Sequence, residues 1–182
     1  NMLHRAATDR LKVRRPHLFV GTCTPPDEKG FVSLSLGLTY EKDILEAAEV
    51  VVLEVNDVLP RTFGDTQVHV SDVDYFVEHH QLPPVLPSPQ PDEVALRIGE
   101  HIAGLVDDGA TIQLGIGEIP NAAALSLREK KDLGVHTEMF VDSMMELYQM
   151  GVITNKKKAL YPGKFVCTFA IGSEEMYKWL HN

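Results

Sequence analysis

Five prolines fall within nine residues, Pro83, Pro84, Pro87, Pro89 and Pro91, and no other stretch limits the fold of this chain as strongly. Proline fixes φ and has no amide donor, so neither a helix interior nor a central strand can persist through residues 83–91. The sequence is thereby divided into residues 1–82 and 92–182, with 83–91 as an interdomain linker. A long surface loop inside one domain is the alternative. With 182 residues, the chain has enough length to bury a core in either arrangement.

On both sides of that break, strand-like and helix-like segments alternate. His17–Thr22 predicts a strand, closed by Thr24-Pro25-Pro26-Asp27. Gly30 releases a second strand over Phe31–Leu36, and Glu41–Glu49 has helical periodicity. Val50–Val55 is almost entirely apolar, as expected of a parallel strand covered on both faces. Past the prolines, Asp92 predicts the cap of a helix carrying Val94, Ile98, Ile102 and Leu105 and closing near Asp108-Gly109. Strands are expected over Thr111–Leu114, Val135–Phe140 and Phe165–Ile171. Helices are expected over Asn121–Lys131 and Ser143–Gln149, with another starting at Ser173. The alternation indicates an α/β layered architecture. A helix still running close to Asn182 gives the expectation that the second domain is incomplete.

Composition removes several functional classes. Hydrophobic residues make up 44% and charged residues 24%, ordinary for a globular chain. A formal net charge of −9 argues against broad nucleic-acid binding, which needs excess cations. It leaves a phosphorylated small ligand compatible, because local amides and a few lysines can hold one. No apolar stretch is long enough to span a membrane. Arg5, Arg10, Lys12, Arg14 and Arg15 form a basic start without an apolar signal core, read as a surface segment, with a transit peptide as the alternative. Cys23 and Cys167 lack metal-ligand spacing, and a reducing cytoplasmic setting is expected.

The residues able to carry chemistry concentrate between Thr111 and Asn155. Gly115-Ile116-Gly117 lies between a predicted strand and a predicted helix, where glycines let a ligand approach the backbone and free amides face an anion. The third glycine of the dinucleotide fingerprint is missing, and so is the Gly-Lys-Ser/Thr of a P-loop. A purely structural tight turn explains the motif equally well. Glu138 interrupts an apolar strand, which costs desolvation unless it sits at a strand end or has partners. Open α/β sheets bind ligands at the carboxyl ends of strands, where both features are expected. A solvent-facing glutamate or a helix cap is the other reading.

Other candidates are weaker. His79-His80 read as solvated loop histidines, and Lys156-Lys157-Lys158 as a solvated charge run that can also meet phosphates. Asp72 and Asp74, flanking Val73, read as a pair of carboxylates, and equally as a turn or a helix cap. Ser126 and Ser143 lack a nucleophile-elbow context.

The combination of Gln113-Leu114-Gly115-Ile116-Gly117-Glu118-Ile119-Pro120-Asn121-Ala122, Lys131–Met139, Gly151–Lys158 and Pro162-Gly163-Lys164 resembles the acetyl-CoA hydrolase/CoA-transferase family. The resemblance is especially to its butyryl-CoA:acetate and 4-hydroxybutyrate CoA-transferases. Upstream, Pro25-Pro26-Asp27, Glu54-Val55-Asn56, Pro60-Arg61-Thr62 and His69–Tyr75 also fit. The resemblance implies NagB/RpiA/CoA-transferase-like open sheets with helices on both faces, in two part-domains. These are the latter part of an N-terminal CoA-transferase domain, 1–82, and the first part of a C-terminal one, 92–182. It implies a CoA-binding loop at Gly115, Ile116, Gly117, Glu118 and Ile119, and a covalent nucleophile at Glu138. Asp142-Ser143 departs from the family, which often has glycine after that aspartate. Members also extend before His17 and beyond Asn182, where a glycine-rich oxyanion loop and further CoA contacts are expected.

The implied reaction is ping-pong transfer of coenzyme A between a short acyl-CoA and a carboxylate of the acetate, butyrate or 4-hydroxybutyrate class, through a glutamyl-CoA thioester. Gln113 is a candidate to orient a carboxylate. The alternatives are acyl-CoA hydrolysis and, for these 182 residues alone, a non-catalytic CoA-binding or assembly module. No permanently bound cofactor and no metal are implied; coenzyme A and acyl-CoA are substrates. The expected partners are therefore small molecules, with neither nucleic acid nor membrane. A homo-oligomer stays open, since exposed sheet edges promote association.

Overall fold

In the computed structural model, which describes residues 5–181, strands and helices alternate as the sequence predicts, but several strands are shorter. Asn1, Met2 and the chain end at Asn182 lie outside the described residues. The chain is α/β and divides into two units: residues up to Pro84 together with those from Tyr177 onward, and Val85–Met176.

The first unit contains α1 (Ala6–Leu11), β1 (Leu18–Cys23), β2 (Phe31–Ser33), α2 (Glu41–Ala47), β3 (Val50–Val55), β4 (Gln67–His69) and β5 (Tyr75–Glu78). A parallel sheet has the order β1-β3-β5, with Leu18 opposite Val50 and Val52 opposite Tyr75. β2 and β4 pair antiparallel, Phe31 opposite His69. Alternate residues of β3, Val51 and Leu53, join Cys23, Val32, Leu34, Leu45 and Val68 in one buried cluster. The other face of the same sheet carries Leu18, Val20, Tyr75 and Val77, all exposed, so the apolar run of β3 is sealed on one side by the described residues.

β4 and β5 carry no strong strand signal. β5 follows Asp72-Val73-Asp74, a candidate carboxylate pair that proves to be structural. Asp72 sits in a short 3-10 turn, and the Val51 amide donates to Asp74 Oδ2 at 2.8 Å, tying the start of β5 to β3.

The second unit contains α3 (Glu93–Gly104), β6 (Thr111–Ile112), α4 (Glu118–Ser126), β7 (Gly134–Val135), β8 (Met139–Phe140), α5 (Asp142–Gln149) and β9 (Phe169–Ala170). The start of α6 (Glu174–Leu180) also belongs to it. Asp92 caps α3 as expected, accepting the Ala95 amide at 2.7 Å. The buried positions of α3 are Ala95, Gly99 and Ala103, whereas Val94 and Leu105 are 64% and 87% exposed. The reason is close packing: α4 presents buried Ala122, Ala123 and Ala124, and a Cβ at Gly99 would strike the Ala122 backbone. Small residues, not the larger apolar ones, therefore mark the packed stripe. Leu133, Val135, Phe140, Met144, Leu147 and Ile153 are all buried in this unit.

Candidate functional site

β6 and β7 are parallel neighbours, with Thr111 opposite Gly134 and Ile112 opposite Val135. The His136 amide extends the ladder by donating to the Ile112 carbonyl at 3.1 Å. Two adjacent carboxyl ends result. One leads into Gln113–Gly117 and the other into His136–Glu138. Between these exits lies the buried Thr137, whose hydroxyl is 3.0 Å from the Met139 carbonyl and 3.4 Å from that of Leu114.

The glycine loop is open. Gly115 and Ile116 are exposed, and Gly117 is half-buried as the N-cap of α4. Gly117 has φ 121° and ψ 178°, a conformation open essentially to glycine alone. Glu118 and Ile119, both exposed, form the first turn of α4, whose leading amides have no acceptor within the helix. A small cleft covers this turn, lined by Pro87, Ser88, Gly115, Gly117, Asn121 and Asp142 among others. The proline-rich segment thus forms one wall of the cleft. Asn121 Nδ2 donates to Ser88 Oγ at 2.7 Å and to the Pro89 carbonyl at 2.9 Å, and the Leu86 amide donates to the Gly172 carbonyl at 3.0 Å.

Glu138 lies outside this cleft and its side chain is exposed. The continuous strand expected over Val135–Phe140 is broken there into β7 and β8. The break has a local cause. The Glu138 carbonyl accepts the Thr168 amide at 2.9 Å, the Phe169 amide at 3.1 Å and the Thr168 hydroxyl at 2.7 Å, which draws the chain away from β6 and toward β9. Gln113 is likewise exposed beyond the end of β6.

The weaker candidates resolve into structure. His79 pairs with Gln81 and His80 with Asp57, at 3.0 and 2.7 Å. Ser126 Oγ donates to the Ala122 carbonyl within α4. Ser143 Oγ is buried without a hydrogen-bond partner among the described residues. The lysine run is split. Lys156 and Lys157 are exposed, and Lys157 Nζ lies 3.3 Å from Asp132, holding that carboxyl below its ordinary range together with Thr154. Lys158 is buried, contrary to the solvated run expected, and burial pushes its pKa down. Its Nζ donates to the Val135 and Lys164 carbonyls, both at 2.6 Å. Sequence reading missed this lysine because its two charged neighbours conceal a change of environment.

In the first unit, burial raises the Cys23 thiol to about 11, opposed by the nearby Arg61. Among the described residues no group of three or more His, Cys, Asp or Glu side chains is placed to hold a metal. No described helix is long and apolar enough to cross a membrane.

Comparison with known proteins gives a consistent result. Residues 19–87 match the family described as Acetyl-CoA hydrolase/transferase N-terminal domain. The chain is 49% identical over 158 residues to 4-hydroxybutyrate coenzyme A transferase of Clostridium kluyveri, covering 86% of this chain and 37% of that protein. It is 43% identical over 178 residues to Succinyl-CoA:acetate/propanoyl-CoA:succinate CoA transferase of Fasciola hepatica, covering 94% of this chain and 37% of that protein. The crystal structure of 4-hydroxybutyrate CoA-transferase from Porphyromonas gingivalis superposes with a TM-score of 0.93 at 36% identity, over 99% of this chain and 46% of that one. RipA from Yersinia pestis superposes with a TM-score of 0.94 at 35% identity, over 100% of this chain and 43% of that one. The chain therefore spans 37% of the length of these two relatives and less than half of these two solved chains.

Proposed function

From the acetyl-CoA hydrolase/transferase family, to which this chain belongs, we propose a reaction: the whole protein moves coenzyme A from a short acyl-CoA to a carboxylate acceptor. The observation that carries this reading is the pair of adjacent parallel strand ends. One opens onto the amides of Gly115–Ile119, and the other presents the exposed carboxylate of Glu138. An anionic carrier and a nucleophile are served from one sheet edge.

In this mechanism a Glu138 carboxylate oxygen attacks the thioester carbonyl, and the C–S bond breaks to give an acyl-glutamyl anhydride and a CoA thiolate. The thiolate attacks the glutamyl carbonyl, releases the first acid as its carboxylate, and leaves CoA on Glu138 as a thioester. An incoming carboxylate attacks that thioester and expels the thiolate, giving a second anhydride. The thiolate then attacks the new acyl carbonyl, forming the new acyl-CoA and restoring Glu138. Charge is conserved in each step without proton transfer. Oxyanions that develop along the way need preorganised donors, and the amides of Gly115–Ile119 are our candidates within this chain. Gln113 is a candidate to orient the acceptor. A reducing cytoplasmic setting suits the two unpaired thiols, Cys23 and Cys167.

The test uses the full-length protein. It is incubated with acyl-CoA, reduced with borohydride and mapped by mass spectrometry. A CoA-dependent change at Glu138, absent from Glu138→Gln, is expected. Turnover with an unmodified Glu138 would remove it as the nucleophile. Loss of acyl-CoA without any acceptor acid would favour hydrolysis over transfer.

A further inference from the structure

Val135, the last residue of β7, has both of its backbone polar groups held by side chains of a single loop. Its amide donates to Asn155 Oδ1 at 2.9 Å, and its carbonyl accepts Lys158 Nζ at 2.6 Å. Both side chains are buried, with Asn155 1% and Lys158 5% exposed. The loop is itself stitched down. The Asn155 amide donates to the Leu133 carbonyl at 3.0 Å, the Gly163 amide donates to the Asn155 carbonyl at 2.8 Å, and Lys158 Nζ also reaches the Lys164 carbonyl. Asn155 adopts φ 58°, a left-handed conformation that asparagine tolerates better than most residues.

This arrangement is expensive. A lysine taken out of water without a carboxylate partner loses hydration that two carbonyls only partly replace. The Lys158 stem also lies across β7 so closely that a Cβ at Gly134 would collide with it. An exposed lysine at this position would satisfy the loop at far less cost. The cost is explained by where Val135 stands, three residues before Glu138 and at the point where β7 leaves its pairing with β6. Beyond Val135 the ladder to β6 has only the His136 amide; His136 pairs on its other side with Val166, whose carbonyl accepts the Thr137 amide at 2.9 Å, and the chain then bends toward Thr168.

We propose that Asn155 and Lys158 are positioning residues, clamping Val135 from both sides so that the β7–β8 break presents Glu138 in one fixed place. The proposal rests on Glu138 as the nucleophile. A carboxylate that must attack one carbonyl and be attacked at its own requires tight placement, and a misplacement of about 1 Å can cost roughly a hundredfold in rate. Neither residue touches the reacting atoms in this scheme.

The test compares full-length wild-type protein with Lys158→Met, Asn155→Ala and Asn155→Asp. Aspartate keeps an acceptor oxygen for the Val135 amide, whereas alanine removes it. Lys158→Met and Asn155→Ala are expected to lower kcat for acyl transfer about ten- to a hundredfold, with KM for acyl-CoA changed less than about twofold. The rate of borohydride-trappable adduct formation at Glu138 should fall in parallel, and Asn155→Asp should recover most of it. Faster amide exchange at residues 135–138 in the alanine variant is the activity-independent readout. Wild-type adduct rates and exchange in the folded variants would overturn the clamp while leaving the CoA-transferase reading intact. An equal rise in KM with unchanged kcat would do the same. If Lys158→Met does not fold, the Asn155 pair decides, with equal loss in both variants counting against positioning. Absence of any adduct at Glu138 in the wild type would instead refute the underlying reading.

Discussion

Thr168 holds the Glu138 carbonyl with both its amide, at 2.9 Å, and its hydroxyl, at 2.7 Å, while the Glu138 side chain stays exposed. The backbone of Glu138 is thus anchored while its side chain is left free for the role of nucleophile proposed for it. Glu138→Gln should therefore abolish acyl transfer, by roughly 10⁴- to 10⁶-fold in kcat, without unfolding the protein. Its stability should stay within about 0.5 kcal/mol of wild type, as for most exposed substitutions. Steady-state kinetics and a urea titration on the same preparation check both halves.

Asn121 supplies the side-chain hydrogen bonds from α4 to Ser88 and Pro89. Asn121→Ala removes two bonds worth about 0.5–1.5 kcal/mol each. The cleft over the glycine loop then loses a fixed wall. We expect KM for acyl-CoA to rise about three- to tenfold with kcat nearly preserved. An unchanged KM would show that this wall does not meet the substrate.

Gly117 has a backbone conformation that a side chain strains by about 1–3 kcal/mol. Gly117→Ala should lower stability by about that amount, measured by denaturant titration. If the leading amides of α4 serve the carrier, the same substitution should also weaken binding of CoA itself, measured by calorimetry.

Asp27 accepts the Phe31 amide and the Lys29 amide, both at 2.9 Å, and lies 3.7 Å from Arg61. These contacts, the Phe31 amide foremost, hold its pKa below the ordinary value of 3.8. Its folded pKa is depressed, so its contribution is fully present above pH 3.8 and is lost as pH falls through the folded value. The difference in Tm between wild type and Asp27→Ala should be constant from about pH 7 to pH 5 and shrink below about pH 4. A gap that persists at low pH would assign it to something other than the carboxylate.

The architecture was legible because long apolar or periodic segments carry their own signal: Val50–Val55 and the helix after Asp92 occupy the positions expected. The helix face was legible only in part: Ile98 and Ile102 are half-buried, but close α3–α4 packing buries Ala95, Gly99 and Ala103 and leaves the larger Val94 and Leu105 exposed. The glycine loop announced itself through residue type and position between a strand and a helix. The break at Glu138 did not, because it depends on Thr168 and Phe169, thirty residues away in sequence. Lys158 was hidden for the same reason. Nothing local separates it from Lys156 and Lys157, and only the folded loop carries it inward to Val135.

The wall formed by Pro87, Ser88 and Pro89 has one further consequence, in the entropy of the chain. A segment this rich in proline has surrendered much of its backbone freedom before folding, so immobilising it costs less than immobilising an ordinary loop of the same length. That is why the few bonds from Asn121 and Leu86 suffice to keep it against the glycine loop. Replacing Pro87 and Pro89 with glycine would leave every one of those bonds possible and still loosen the wall, because the penalty would arise in the unfolded chain.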